Sequence, residues 1–192
     1  MKRNIYFIAI TALVFVFAST LFQLNLAAEG KKMNKKILIA YYSRTGNTRE
    51  IANQIHKIVG GEIFELVPVT PYPSNYNACV NQAKQELKSG YKAPLKSKID
   101  VKNYDIILIG YPIWWGTFPA PVRTFLNEND FSGKTIAPFC THGGSGLSRS
   151  VSDISNLCPK ATLLEGFEVP GSSVGTAQNK VSDWLKRIKI EK

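Results

Sequence analysis

Apolar residues run along this chain in two rhythms. Three stretches are almost continuously apolar: Lys36 to Tyr42 (KILIAYY), Tyr104 to Gly110 (YDIILIG) and Lys134 to Cys140 (KTIAPFC). Short runs of this kind predict strands buried on both faces. Glu62 to Val67 alternates polar with apolar and predicts a half-exposed edge strand, and Ala161 to Val169 predicts an uninterrupted last strand. Pro138 falls inside the third run and predicts a local irregularity there, because proline has no N–H to give to a ladder.

Between these runs the spacing becomes helical. Ile51, Ile55, Ile58 and Val59 fall on one face and stop at Gly60-Gly61; Tyr76, Cys79, Val80, Ala83 and Leu87 form a second stripe closed by Gly90. A third helix starts near Pro121, where proline suits the first turn. Leu147, Val151, Ile154 and Leu157 predict a fourth, and Val181, Trp184, Leu185 and Ile188 a fifth. The Lys-rich segment from Tyr91 to Lys102 reads as surface connection. Five strands alternating with helices predict an α/β domain over residues 35–192, a parallel sheet with helices on both faces, since right-handed crossovers put them there. Ligands of such sheets bind at the carboxyl ends of the strands.

Three loops at that end carry unusual chemistry. After the first strand comes Ser43-Arg44-Thr45-Gly46-Asn47-Thr48, small hydroxyl and glycine residues that open a helix. Free N–H groups at a helix start, with hydroxyls beside them, make a phosphate cradle. The loop lacks the lysine of a nucleotide-hydrolysing phosphate loop. Taken alone it is equally a helix cap and turn. Arg44 has two readings, as added charge at the phosphate or as a solvated side chain.

After the third strand come Tyr111, Pro112, Ile113, Trp114, Trp115 and Gly116. Large rings in a loop need a cover, either a flat ligand or the domain itself. After the fourth strand come Thr141, His142, Gly143, Gly144, Ser145 and Gly146. His142 has two readings as well, a hydrogen bond or proton relay to a ligand, or a surface loop residue or backbone cap. Cys140 reads as inert core and His56 as a solvated helix residue.

Residues 1–28 read as a separate object. Lys2 and Arg3 precede an uncharged run from Asn4 to Ala28, and Ala27-Ala28 precede Glu29, the layout of a secretory signal peptide. The run also reaches the length of about 20 residues that spans a bilayer, which keeps a membrane anchor open. Lys31, Lys32, Lys35 and Lys36 on its trailing side resist translocation and favour a cytoplasmic domain. Met33 is an alternative start. The expectation is an exported or membrane-anchored domain joined by a linker at 29–34, cytoplasmic only if the anchor holds it inside or the chain starts at Met33.

Composition narrows the partners. The formal net charge is +10, and Lys84, Lys88, Lys92, Lys96, Lys98 and Lys102 concentrate it between the second and third strands. A basic surface favours acidic partners; nucleic-acid binding would rest on net charge alone and is not expected. Three cysteines without a Cys-x-x-Cys spacing and two histidines give neither a disulfide framework nor the makings of a metal site.

The three loops together resemble those of the flavodoxin family. Ser43, Thr45, Gly46, Asn47 and Thr48 fit its Ser/Thr-x-Thr-Gly-x-Thr phosphate loop, Tyr111 to Gly116 its first flavin-flanking loop and Thr141 to Gly146 its second. The resemblance extends from Lys35 to Ile190. It implies a doubly wound five-stranded parallel sheet of order 2-1-3-4-5, in the short-chain form, with a helical insertion between the second and third strands. It also implies bound FMN with Trp114 or Trp115 beside the ring, and a peptide flip at Gly116 that stabilises the semiquinone.

The function so implied is an electron carrier cycling between semiquinone and reduced flavin with redox partner proteins, acidic ones given this chain's charge. The alternative is an FMN-dependent NAD(P)H:quinone oxidoreductase. A partner-binding domain without cofactor is a third class, against which the intact loops argue.

Overall fold

The computed structural model describes residues 35–190; the signal, anchor and linker readings of residues 1–34 lie outside them. The chain forms β1 (Ile37–Tyr41), α1 (Asn47–Val59), β2 (Glu62–Glu65), α2 (Tyr76–Ser89), β3 (Ile106–Pro112), α3 (Ala120–Glu128), β4 (Thr135–His142), α4 (Ser150–Leu157), β5 (Thr162–Leu163), β6 (Phe167–Pro170) and α5 (Gln178–Arg187), with 3-10 turns at Val101–Asn103 and Gly171–Thr176. All strands pair in parallel, in the order β2-β1-β3-β4-β5, with β6 also on β4. This is the expected flavodoxin-like order.

The continuous apolar runs are explained by two cores, one on each face. Alternate residues of β1, β3 and β4 go to opposite sides. Leu38, Ala40, Ile107, Ile109 and Ile136 join Val122, Phe125 and Leu126 of α3 and Ile154 of α4. Ile39, Leu108, Ala137 and Phe139 join Ile51, Ile55 and Val59 of α1 and Val181, Trp184 and Leu185 of α5. Leu147, expected to begin the fourth helix, instead lies in a turn ahead of it, where its carbonyl accepts the Ser150 N–H at 3.1 Å.

The last strand is not uninterrupted, and Pro138 gives the reason. Leu164 donates its N–H to Ile136 O at 2.8 Å, so Ile136, and with it the alternate residue Pro138, turns its backbone polar groups toward that edge. At Pro138 there is no donor. β5 pairs with Thr135 and Ile136, β6 resumes at Phe139, and Ala137 and Pro138 have no partner on that side. β4 itself runs straight through, so the irregularity expected at Pro138 falls in its neighbour. Trp184 Nε1–H donates to the freed Glu165 carbonyl at 2.9 Å and stabilises the break.

Candidate functional site

The connections after β1, β3, β4 and β6 and one face of α2 enclose a cavity of about 760 Å3. At one end stands the loop of residues 43–48. Gly46, at φ +94°, donates its N–H to Ser43 Oγ at 3.1 Å and accepts from Glu50 N–H at 2.9 Å through its carbonyl. Glu50 is thus the first residue to close the helix, and the N–H groups of Asn47, Thr48 and Arg49 precede it, where a helix has no internal acceptor to offer. Thr45 and Asn47 line the cavity. Ser43 and Thr48 build the loop from behind: both are buried, and the hydroxyls of Thr48 and Thr141 lie 2.9 Å apart, tying the first loop to the third.

Arg44 lines the cavity and is tied down rather than solvated. Its guanidinium donates to the carbonyls of Pro73 (2.9 Å) and Ser74 (2.8 Å), anchoring the connection that leads into α2. Arg44→Met is therefore expected to free that connection and to cost about 1–2 kcal/mol, less than two fully buried charge-assisted bonds. Amide exchange should accelerate at residues 74–78. Unchanged exchange there would show that the anchor carries no stability.

The aromatic loop separates the roles of its two tryptophans. Trp114 packs edge-on against Tyr42 (5.8 Å between centroids) and Tyr72 (4.8 Å), as part of the domain. Burial, and after it the bond from its hydroxyl to Glu86 at 2.5 Å, pushes the Tyr72 phenol far above its ordinary range and keeps it neutral. Trp114 and Thr117 exchange backbone hydrogen bonds of 2.8 and 3.1 Å across a two-residue tip, Trp115 (φ +53°) and Gly116 (φ +78°). Two positive φ values make this a type I′ turn, which glycine adopts freely and tryptophan only when held. Trp115 is held: its Nε1–H donates to Val80 O at 3.1 Å, and Lys84 Nζ stands 4.8 Å from its ring centroid. Pro112, Ile113, Trp114 and Trp115 all line the cavity.

In the third loop, Thr141, His142, Gly143 and Gly144 line the cavity. Both ring nitrogens of His142 are engaged within the protein. Nδ1 accepts the Gly144 N–H at 2.9 Å, so the proton of the neutral ring sits on Nε2, which donates to the Glu168 carboxylate. The imidazole thereby holds the Gly143-Gly144 backbone in place. Cys140 is fully buried, and burial pushes its thiol up to about 12, which makes it inert as expected.

Two walls escaped the sequence reading. Tyr76, Cys79, Val80 and Ala83 turn one face of α2 into the cavity, and Pro170, Gly171 and Ser172 close it after β6. A signal existed for the second: Pro170-Gly171-Ser172-Ser173 repeats the glycine and hydroxyl chemistry of the other loops directly after a strand. A Cβ on Gly171 would sit 2.6 Å from Asn47 Nδ2, so any larger residue there would push the Asn47 amide aside.

Solved structures share this fold. A candidate flavoprotein from Bacteroides eggerthii superposes with a TM-score of 0.73 at 31% identity, over 82% of this chain and 99% of its own. One from Bacteroides uniformis gives 0.71 at 31% identity, over 79% and 98%. A Lactobacillus acidophilus flavoprotein in complex with FMN gives 0.61 at 26% identity, over 78% and 98%. A family model described as flavodoxin matches residues 36–188, from the start of the first apolar run to the end of α5, and on that span the chain belongs to the flavodoxin family.

Proposed function

We propose that the chain is an FMN-binding electron-transfer protein, with the phosphate at residues 43–48 and the ring beside Trp115 and the Gly143-Gly144 loop. The observation that carries this reading is the lining of the cavity. It is hydroxyl and N–H at one end and aromatic at the other, and among the described residues it contains no carboxylate to repel a phosphate dianion. The Lactobacillus acidophilus relative, solved with FMN, supports the same cofactor.

Bound FMN supplies one- and two-electron redox chemistry. The chain's own part is to hold and shield it. Asn47 and Thr45 meet the phosphate, Thr48 and Thr141 fix the two loops to each other, and His142 orients the glycine backbone. Arg44 is the one lysine or arginine in the lining among the described residues, and one nitrogen of its guanidinium is already bonded to Pro73 and Ser74. A single, partly engaged cation suits the one phosphate of FMN better than the several phosphates of a nicotinamide dinucleotide, which favours a carrier over an NAD(P)H:quinone oxidoreductase.

The test is stepwise dithionite reduction of the full chain loaded with FMN, with and without NADPH and a quinone. Two separated one-electron steps without NADPH consumption are expected. Rapid NADPH-dependent quinone reduction with no one-electron plateau would overturn the carrier, and failure to take up FMN would overturn both readings.

A further inference from the structure

Two pairs of lysines in the basic insertion differ in character; Lys92 and Lys96, between them, are exposed and have no carboxylate within 4.0 Å among the described residues. Lys98 and Lys102 are paired, with Glu128 at 3.0 Å and Asp100 at 3.9 Å, and lie along a groove of their own. Lys84 and Lys88, one helical turn apart on α2, are exposed and have no carboxylate within 4.0 Å among the described residues. Their stripe adjoins the one that Tyr76, Val80 and Ala83 turn to the cavity. Lys84 is fixed over the Trp115 ring, which α2 itself pins through Val80. Two aromatic residues of the lining reach solvent, Tyr76 at 72% exposure and Trp115, beneath the Lys84 ammonium, at 44%. Arg149, by contrast, pairs with Asp153 at 3.2 Å.

We infer that Tyr76, Trp115, Lys84 and Lys88 form the docking surface for an acidic electron-transfer protein, a proposal that rests on the FMN reading above. Exposed tyrosine and tryptophan side chains are the usual anchors of a protein interface. Unpaired ammonium groups beside them select a partner rich in carboxylates and speed the encounter. The surface borders the cavity, so a partner seated on it stands next to the cofactor. In each transfer the partner's metal cluster loses one electron and the flavin gains it.

The test uses the full chain loaded with FMN and a pre-reduced acidic [2Fe–2S] ferredoxin as electron donor, with dithionite as a small anionic donor. Calorimetric titration with the oxidised ferredoxin reads binding independently of electron transfer. Lys84→Gln with Lys88→Gln should slow reduction by ferredoxin and weaken its binding by about tenfold at low ionic strength. The effect should shrink to about twofold or less in high salt. Reduction by dithionite should fall far less than reduction by ferredoxin, since Trp115 keeps its bond to Val80 without Lys84. Lys98→Gln with Lys102→Gln, which removes the same charge, should leave all three measurements as they were.

Equal losses from both pairs would reduce the effect to net charge and overturn the proposal. Equal slowing with dithionite would assign the two lysines to a small anion, and no loss from the first pair would remove the surface altogether. FMN uptake is followed separately by quenching of flavin fluorescence. A chain that binds ferredoxin but no FMN refutes the cofactor reading, not the surface.

Discussion

Gly110→Val is expected to be among the most destabilising single substitutions in the domain. Gly110 pairs with Phe139 in the register of β3 and β4, and a Cβ at Gly110 would stand 2.2 and 2.3 Å from two carbons of the Phe139 ring. Phe139 is fully buried between Ala137, Leu108 and the helices of its face, with no room to swing aside. Overpacking a core costs about 1–3 kcal/mol when neighbours can shift. Here the obstacle is a rigid ring at the centre of the sheet, and the expected loss is above about 3 kcal/mol, a large share of a domain's usual 5–15. Urea unfolding with near-ultraviolet circular dichroism would read it. Combining the variant with Phe139→Ala should recover part of the loss, because the smaller side chain vacates the same space. A variant within about 1 kcal/mol of the parent would refute the packing described.

The second large effect is on cofactor affinity. Thr45→Val with Thr48→Val keeps shape and volume while removing two hydroxyls, one in the cavity lining and one that holds Thr141 at 2.9 Å. Hydrogen bonds to a charged group are worth about 1.5–3 kcal/mol. The pair should therefore weaken FMN binding by roughly 10²–10³-fold. Far-ultraviolet circular dichroism should be unchanged. Thr45→Val alone should cost about tenfold, and the excess in the double variant measures what the Thr48–Thr141 tie contributes. Affinity within about twofold of the parent would remove the phosphate from this loop.

The sheet was legible because its inner strands are buried on both faces, which leaves no alternative to near-continuous Val, Ile, Leu and aromatic residues. That the hydroxyl, aromatic and glycine loops would meet at one cavity was legible because each combines unusual residues with a position directly after such a strand. Pro138 was legible as a disturbance but not as to where it would act: the missing donor faces β5 and β6, and which neighbour a backbone group faces is a property of the assembled sheet. Arg44 reaches a connection 29 residues away, a distance that spacing along the chain does not encode. The wall from α2 was hidden for a different reason. Cys79 and Ala83 are small and apolar, and a stripe of such residues looks the same whether it covers a core or a ligand. Trp115 at positive φ runs against residue preference, and only the bond to Val80 and the hairpin at Thr117 explain how it is kept there.

The break opposite Pro138 also bears on how the folded domain behaves in a crowd. A long open sheet edge is a template for foreign strands and the usual start of aggregation. On one edge this sheet presents only β2, four residues long and bearing Glu62 and Glu65; on the other it presents two residues of β5, a gap, and four of β6. Neither edge gives an incoming strand a continuous run of more than four residues. The same proline that spoils the ladder thus protects the domain against growth by strand addition.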